Sequence, residues 1–116
     1  MPDLGMRGPY RLNRATVDQQ VTNACPGNFA VGYLKENGAF VVRYVGRADT
    51  DLNRTLKEQE ADESTWFKWT YTDSSHSAFD TECRNYHDFG ENVRLENEDH
   101  PASPRGSKWR CPVCRK

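Results

Sequence analysis

The sequence lacks long apolar runs and has almost no net charge. No stretch approaches the ~18 consecutive apolar residues that a membrane-spanning helix needs. The first residues, MPDLGMRGPYRLNR, lack the apolar stretch of a signal peptide. The formal net charge is −1, so bulk charge gives no support to nucleic-acid binding. We therefore expect a cytoplasmic protein with no membrane association.

Internal repeats and long linkers are also missing, and a chain of 116 residues is typical of one domain. The expected organisation is an N-terminal extension over residues 1–24, a core over 25–98 and a C-terminal loop over 99–116 that packs on the core. The last 14 residues, SPRGSKWRCPVCRK, carry five cations and no acid. Such a tail can contact phosphates or simply be solvated.

The chain between residues 27 and 90 alternates strand and helix patterns. FAVGYLK and AFVVRYV are β-type runs, and TWFKWTYT is a third with aromatic residues at period two. Helical stripes are formed by Leu52 and Leu56, and later by Phe79, Cys83 and Tyr86. The predicted fold class is α/β (α+β), with a small three-stranded, mainly antiparallel sheet flanked by helices.

The first two strands are joined through ENGA, and Asn-Gly is a strong signal for a two-residue hairpin turn. The pairs predicted from this turn are Glu36 with Ala39, Tyr33 with Val42, and Val31 with Tyr44. Tyr33 and Tyr44 would then share a sheet face as diagonal neighbours about 7–8 Å apart. The two phenols could converge on one phosphate group, or they could form an ordinary aromatic cluster.

From here the sequence resembles the GIY-YIG nuclease family over roughly residues 27–97. YVG at residues 44–46 is similar to the second half of that signature, and VGY at 31–33 stands for the first half. DLNRTLKE follows with Arg54, AFDTECRNYH with Glu82, and RLENEDHP with Asn97. The loop after YVG is about one residue longer than the commonest form. Thr55 could then occupy the place of the arginine, and Arg47 is the second candidate.

The resemblance implies a single-metal phosphodiester hydrolase. Glu82 would hold Mg²⁺ or Mn²⁺, which suits a carboxylate oxygen. Tyr33 would accept the proton of the attacking water, Tyr44 would position water or phosphate, and Arg54 or Arg47 would grip the phosphate as a fork. Asn97 would be an accessory residue of this site.

The four cysteines indicate a metal site more than a disulfide framework, since no secretory signal is apparent. Cys111 and Cys114 form a CxxC knuckle, and Cys83 and His87 lie at i and i+4 of one predicted helix. Together they predict a closed, structural Zn²⁺ site that ties the C-terminal tail to the helix of Glu82. His100 could replace His87, and Cys111 with Cys114 could instead be a redox pair.

The expected function is metal-dependent endonuclease activity on nucleic acid, with DNA as the expected substrate. The alternative is a non-catalytic, zinc-containing nucleic-acid-binding or interaction module on the same fold. The small size suggests that a homodimer or a protein partner contributes to specificity.

Overall fold

The computed structural model describes residues 6–59, 64–89, 101 and 112. The helices and strands, in chain order, are β1 (Arg7–Arg11), α1 (Arg14–Gln20), β2 (Gly27–Leu34), β3 (Phe40–Ala48), α2 (Leu52–Lys57), β4 (Trp66–Tyr71) and α3 (Ser75–Asp88). No helix in these ranges has both the length and the apolar character needed to cross a membrane.

The sheet is antiparallel and has four strands in the order β1-β4-β2-β3. The α+β class is confirmed, but the predicted count of three strands is wrong. The additional strand is β1, which pairs with β4 and lies in the segment predicted as an extension. RGPYR was not predicted as a strand because its glycine and proline are typical of turns.

The sheet has two covered faces, named here by the helices that pack on them. On the α1/α2 face, Phe29, Phe67 and Trp69 form one apolar core with residues of α1 and α2, including Leu52 and Leu56. On the α3 face, Ala30, Val45 and Tyr86 form a second core beneath α3. The predicted stripes on α2 and α3 are both buried, as their helical spacing requires.

Each helix begins at a polar cap. Asn13, Asp51 and Ser74 accept a backbone N–H of the first turn of α1, α2 and α3. The observed caps lie immediately before the first helical turn, where a side-chain oxygen can reach unpaired N–H groups. Helix α2 therefore begins directly after Asp51, and this starting point sets the position of Arg54 on the helix.

The hairpin of β2 and β3 differs from the predicted one at two compensating places. Its loop has three residues, since Lys35 N–H donates to Ala39 O at 2.8 Å and Gly38 takes a positive φ of 85°. This shifts the register, so that Tyr33 pairs with Val41 rather than Val42. A bulge between Val31 and Gly32 then restores the predicted pairing of Val31 with Tyr44. The two tyrosines therefore share the α1/α2 face.

Candidate functional site

The α3 face contains a partly buried ion pair between strand β3 and helix α3. Arg47 Nη1 donates to Glu82 Oε1 at 2.5 Å, and the two side chains are 13% and 10% exposed. Arg47 comes directly after YVG on β3, and Glu82 lies in the middle of α3. The guanidinium also donates through Nε to Asp49 at 2.9 Å and lies 5.2 Å from the ring centre of Phe79. Arg47 is thus fixed from three sides.

The charge of Arg47 is maintained by this environment. Burial disfavours the cation, but the Coulombic attraction of Glu82 and hydrogen bonds to Asp49 and Glu82 outweigh it, and the pKa of the guanidinium is raised. Arg47 is therefore a permanent cation held beside a buried carboxylate. A planar fork of donors in this position is suited to a phosphate oxygen, the ligand for which arginine geometry is best matched.

Tyr44 lies three residues before Arg47 on β3 and on the opposite face of the sheet. Its ring stacks on Phe29 at 6.1 Å in the core of the α1/α2 face. Burial, and secondly the negative charge of Glu82, raise the pKa of the phenol above its ordinary value of 10.0. At neutral pH the hydroxyl of Tyr44 is therefore a hydrogen-bond donor and not a base. This agrees with a positioning role and leaves proton acceptance to another group.

Tyr33 lies further along the same strand face and is 39% exposed. The guanidinium of Arg43, the extra residue of the bulge, lies 5.9 Å from its ring centre. The register places Tyr33 on the α1/α2 face and Arg47 on the opposite face. Of the predicted catalytic residues, the structure brings Arg47 and Glu82 together as one unit on the α3 face and places both tyrosines on the opposite face of the sheet.

Arg54 does not belong to this unit. Its side chain is 82% exposed and forms an i,i+4 ion pair with Glu58 at 3.7 Å. Helix α2 begins after the cap at Asp51, so that this position faces solvent while Leu52 and Leu56 face the core. Thr55, the alternative position, donates its hydroxyl to Asp51 O at 3.0 Å. Of the two arginines considered from the sequence, Arg47 is the one in contact with Glu82.

The structure adds Asn28, which the sequence analysis did not consider. Asn28 pairs with Arg47 across β2 and β3 and is fully buried. Its Nδ2 donates to Ala78 O of α3 at 2.8 Å, but no described residue donates a hydrogen bond to its Oδ1. A buried amide oxygen without a donor is uncommon in native proteins. The only signal in the sequence was an asparagine inside an otherwise apolar strand.

The donor set around Glu82 is compatible with a hard divalent cation. Carboxylate and amide oxygens suit Mg²⁺ or Mn²⁺, and Mg²⁺ retains several waters, so it needs few protein ligands. Glu82 supplies a carboxylate, and Asn28, which pairs with Arg47 across β2 and β3, supplies an amide oxygen that receives no hydrogen bond from the described residues. Among the described residues there is no group of three or more His, Cys, Asp and Glu side chains arranged for a metal ion.

The predicted zinc site is only partly described. Cys83 is fully buried in α3, and His87 lies one turn later with its ring 5.4 Å from that of Tyr86. Cys111, Cys114 and His100 lie outside the described residues, and so does Asn97. The prediction that a tetrahedral site joins the tail to α3 therefore stays a prediction.

Gly46 of YVG has a structural explanation independent of chemistry. A Cβ at this position would lie 2.4 Å from Cζ of Phe29, whose ring covers the strand. The glycine is thus required for close packing of the two strands beneath the aromatic ring. Comparison with known protein families, characterised proteins and solved structures finds no match for this chain.

Proposed function

We propose that this protein is a GIY-YIG-type endonuclease that hydrolyses DNA phosphodiester bonds with a divalent cation. The observation that carries the proposal is the ion pair of Arg47 and Glu82. Arg47 lies on β3 directly after YVG, and Glu82 lies on α3, the helix predicted to hold the metal carboxylate. Tyr33 and Tyr44 lie on the opposite face of the sheet from this pair, so their roles in the proposal rest on the resemblance and not on contact with Arg47 or Glu82.

The ion pair suits phosphodiester hydrolysis because each of its side chains can exchange its present partner for a charged group of the substrate complex. Arg47 would bind a non-bridging phosphate oxygen, and Glu82 would hold Mg²⁺ or Mn²⁺, so that each buried charge keeps a partner. When bound, the cation supplies stabilisation of the negative charge on the leaving oxygen. Tyr44 would donate a hydrogen bond to the phosphate or to the attacking water.

Tyr33 is proposed as the group that accepts the proton of the attacking water. It is accessible to solvent, and it shares a face with Tyr44.

The test is cleavage of end-labelled single-stranded, duplex and branched DNA by the purified chain with Mg²⁺ or Mn²⁺. We expect Glu82→Gln to reduce cleavage by about 10²-fold or more, as does removal of one electrostatic stabiliser in other enzymes. Arg47→Ala should give a comparable loss, and Tyr33→Phe and Tyr44→Phe smaller ones.

Arg54→Ala is the matched control, because it removes the same charge from an exposed position. It should retain cleavage within about twofold, since exposed i,i+4 pairs contribute only ~0.5 kcal/mol. Absence of cleavage on all three substrates would reject the enzymatic proposal. Loss of cleavage in Arg54→Ala with retention in Arg47→Ala would reject the assignment of the arginine.

A second candidate is the non-catalytic nucleic-acid-binding module. It is favoured by one observation, namely that Arg47 and Glu82 already satisfy one another within the fold. Salt-sensitive binding of DNA without turnover in any divalent cation would support this candidate.

We also propose that Cys83, His87, Cys111 and Cys114 hold a structural Zn²⁺. The purified protein should then contain about one zinc per chain, and Cys111→Ser with Cys114→Ser should lose it. Chelation should destabilise the fold, since structural zinc contributes about 10–16 kcal/mol in small peptides. A zinc-free preparation with the same thermal transition would contradict this assignment and leave the redox role of Cys111 and Cys114 as the alternative.

A further inference from the structure

The charges of the four strands have one sign, although the whole chain is nearly neutral. Within the part of the chain that the structure describes, the strands contain five charged residues and all are cations: Arg7, Arg11, Arg43, Arg47 and Lys68. Each lies over an aromatic ring, at 5.2–5.9 Å from the ring centre. Such distances are those of cation–π contacts. The charged side chains of the described strands are therefore all positive, and an aromatic ring lies against each of them.

Two of these contacts form a continuous row on the α3 face. Arg11 pairs with Trp66 across β1 and β4 and lies 5.7 Å from its ring centre. Lys68 lies two residues after Trp66 on the same face and reaches Phe40 at 5.6 Å. We name these four residues the cation–aromatic row. Arg11 is exposed, and the other three side chains are partly exposed.

The row adjoins the proposed catalytic site. Lys68 pairs with Ala30, Ala30 pairs with Val45, and Arg47 lies two residues beyond Val45 on the same face. Helix α3 covers Ala30 and Val45, so the row lies beside the helix that carries Glu82. A ligand on the row is therefore on the same side of the sheet as the ion pair.

We infer that the cation–aromatic row binds single-stranded nucleic acid and presents it to the site of Arg47 and Glu82. The row contains two cations for phosphates and no acid. An indole held against a guanidinium gives a surface on which an unpaired base can stack. A duplex buries its base faces within the helix, so only a single strand uses both features of the row. This inference names the substrate class of the proposed function and rests on it.

The experiment measures binding separately from cleavage. Fluorescence polarisation with labelled 16-nucleotide single-stranded DNA, the matching RNA and the matching duplex is recorded in the Glu82→Gln background, over a range of salt concentrations. R11A/K68A is compared with R7A/R43A. The two double variants lose the same charge, but Arg7 and Arg43 contact rings on the α1/α2 face.

We expect R11A/K68A to weaken single-strand binding at least tenfold and R7A/R43A to weaken it about twofold or less. The slope of log K against log salt should fall by about 1.4 in R11A/K68A, because two phosphate contacts are lost at about 0.7 each. Trp66→Leu should weaken binding about 5- to 150-fold through lost stacking. Circular dichroism checks that each variant folds.

Equal losses in the two double variants would mean attraction by bulk charge and would overturn the inference. So would tighter binding of the duplex, or single-strand binding unaffected by Trp66→Leu. Preference for RNA or for DNA supports the inference and identifies the sugar. With Glu82 restored, R11A/K68A should raise KM and leave kcat unchanged. If the wild-type protein binds single strands but cuts none, the binding inference holds and the catalytic proposal fails.

Discussion

The two faces of the sheet bury different chemistry. Among the described residues, the fully buried side chains of the α1/α2 face are hydrophobic, among them Phe29, Phe67 and Leu56. The α3 face also buries Asn28 and Glu82, and Glu82 pairs there with the partly buried Arg47. A buried ion pair often stabilises a fold less than apolar residues of the same size would. The contrast indicates that the first face supplies stability and that the polar centre of the second has another purpose.

The largest expected effect comes from separating the ion pair. Arg47→Met leaves the Glu82 carboxylate buried without its partner and should lower the free energy of unfolding by about 3–5 kcal/mol. The double variant R47M/E82L removes both charges and should be about as stable as the wild type or more stable, while losing all cleavage. Urea unfolding of the wild type, R47M, E82L and R47M/E82L measures the coupling free energy between Arg47 and Glu82.

Leu56→Ala is the comparison from the opposite face. It should cost about 2–5 kcal/mol of stability, because a fully buried leucine is truncated. Its cleavage rate per folded molecule should remain that of the wild type. A double variant R47M/E82L that is much less stable than the wild type would show that the pair is structural and would remove the contrast between the faces.

An intermediate effect is expected at Asn28. Asn28→Ala removes the hydrogen bond to Ala78 O, worth about 0.5–1.5 kcal/mol, and leaves a small cavity. Cleavage should fall further, by about 10–100-fold, as for residues that support a metal ligand. Parallel measurement of thermal stability and of single-turnover cleavage separates the effect on stability from the effect on the cleavage rate. A rate that falls only in proportion to the folded fraction would assign Asn28 to packing alone.

The smallest effect concerns the helices of the apolar face. Asp18 of α1 accepts from Lys57 at 2.5 Å and from Asn53 at 3.1 Å, and these hydrogen bonds lower its pKa below the ordinary value of 3.8. A lowered pKa stabilises the fold above the unfolded-state value, and this contribution disappears as the pH falls through the folded-state value.

Asp18→Asn should therefore be slightly less stable than the wild type at pH 7 and equal to it in strong acid. Chemical unfolding between pH 7 and pH 2 measures the difference. A difference that grows toward acid would show that the sign of the coupling is wrong.

Local patterns were sufficient to predict much of the fold. Period-two alternation found β2, β3 and β4, and helical spacing found the buried stripes of α2 and α3. β1 was missed because its strand character depends on pairing with β4, a contact distant in sequence. The bulge and the three-residue loop were also missed. Their effects on the register cancel, because either feature alone would have moved Tyr44 to the other face.

For the candidate site, the sequence could predict the candidate residues but not their orientation. The resemblance named Glu82, Tyr44 and both arginines, but sequence spacing cannot decide whether Arg54 faces Glu82 or solvent. The cap at Asp51 and the loop before it fix that orientation, and they depend on three-dimensional packing. Asn28 acquires meaning only through its pairing with Arg47 and its contact with Ala78 on another element.

The bulge at Arg43 has a consequence for changes in the length of the hairpin loop. Side chains alternate between the two faces of a strand, so a deletion of one loop residue alone would move the later side chains of β3 to the other face. Tyr44 would then leave the α1/α2 face, and Arg47 would turn away from Glu82. The length of the loop and the presence of the bulge can therefore change only together.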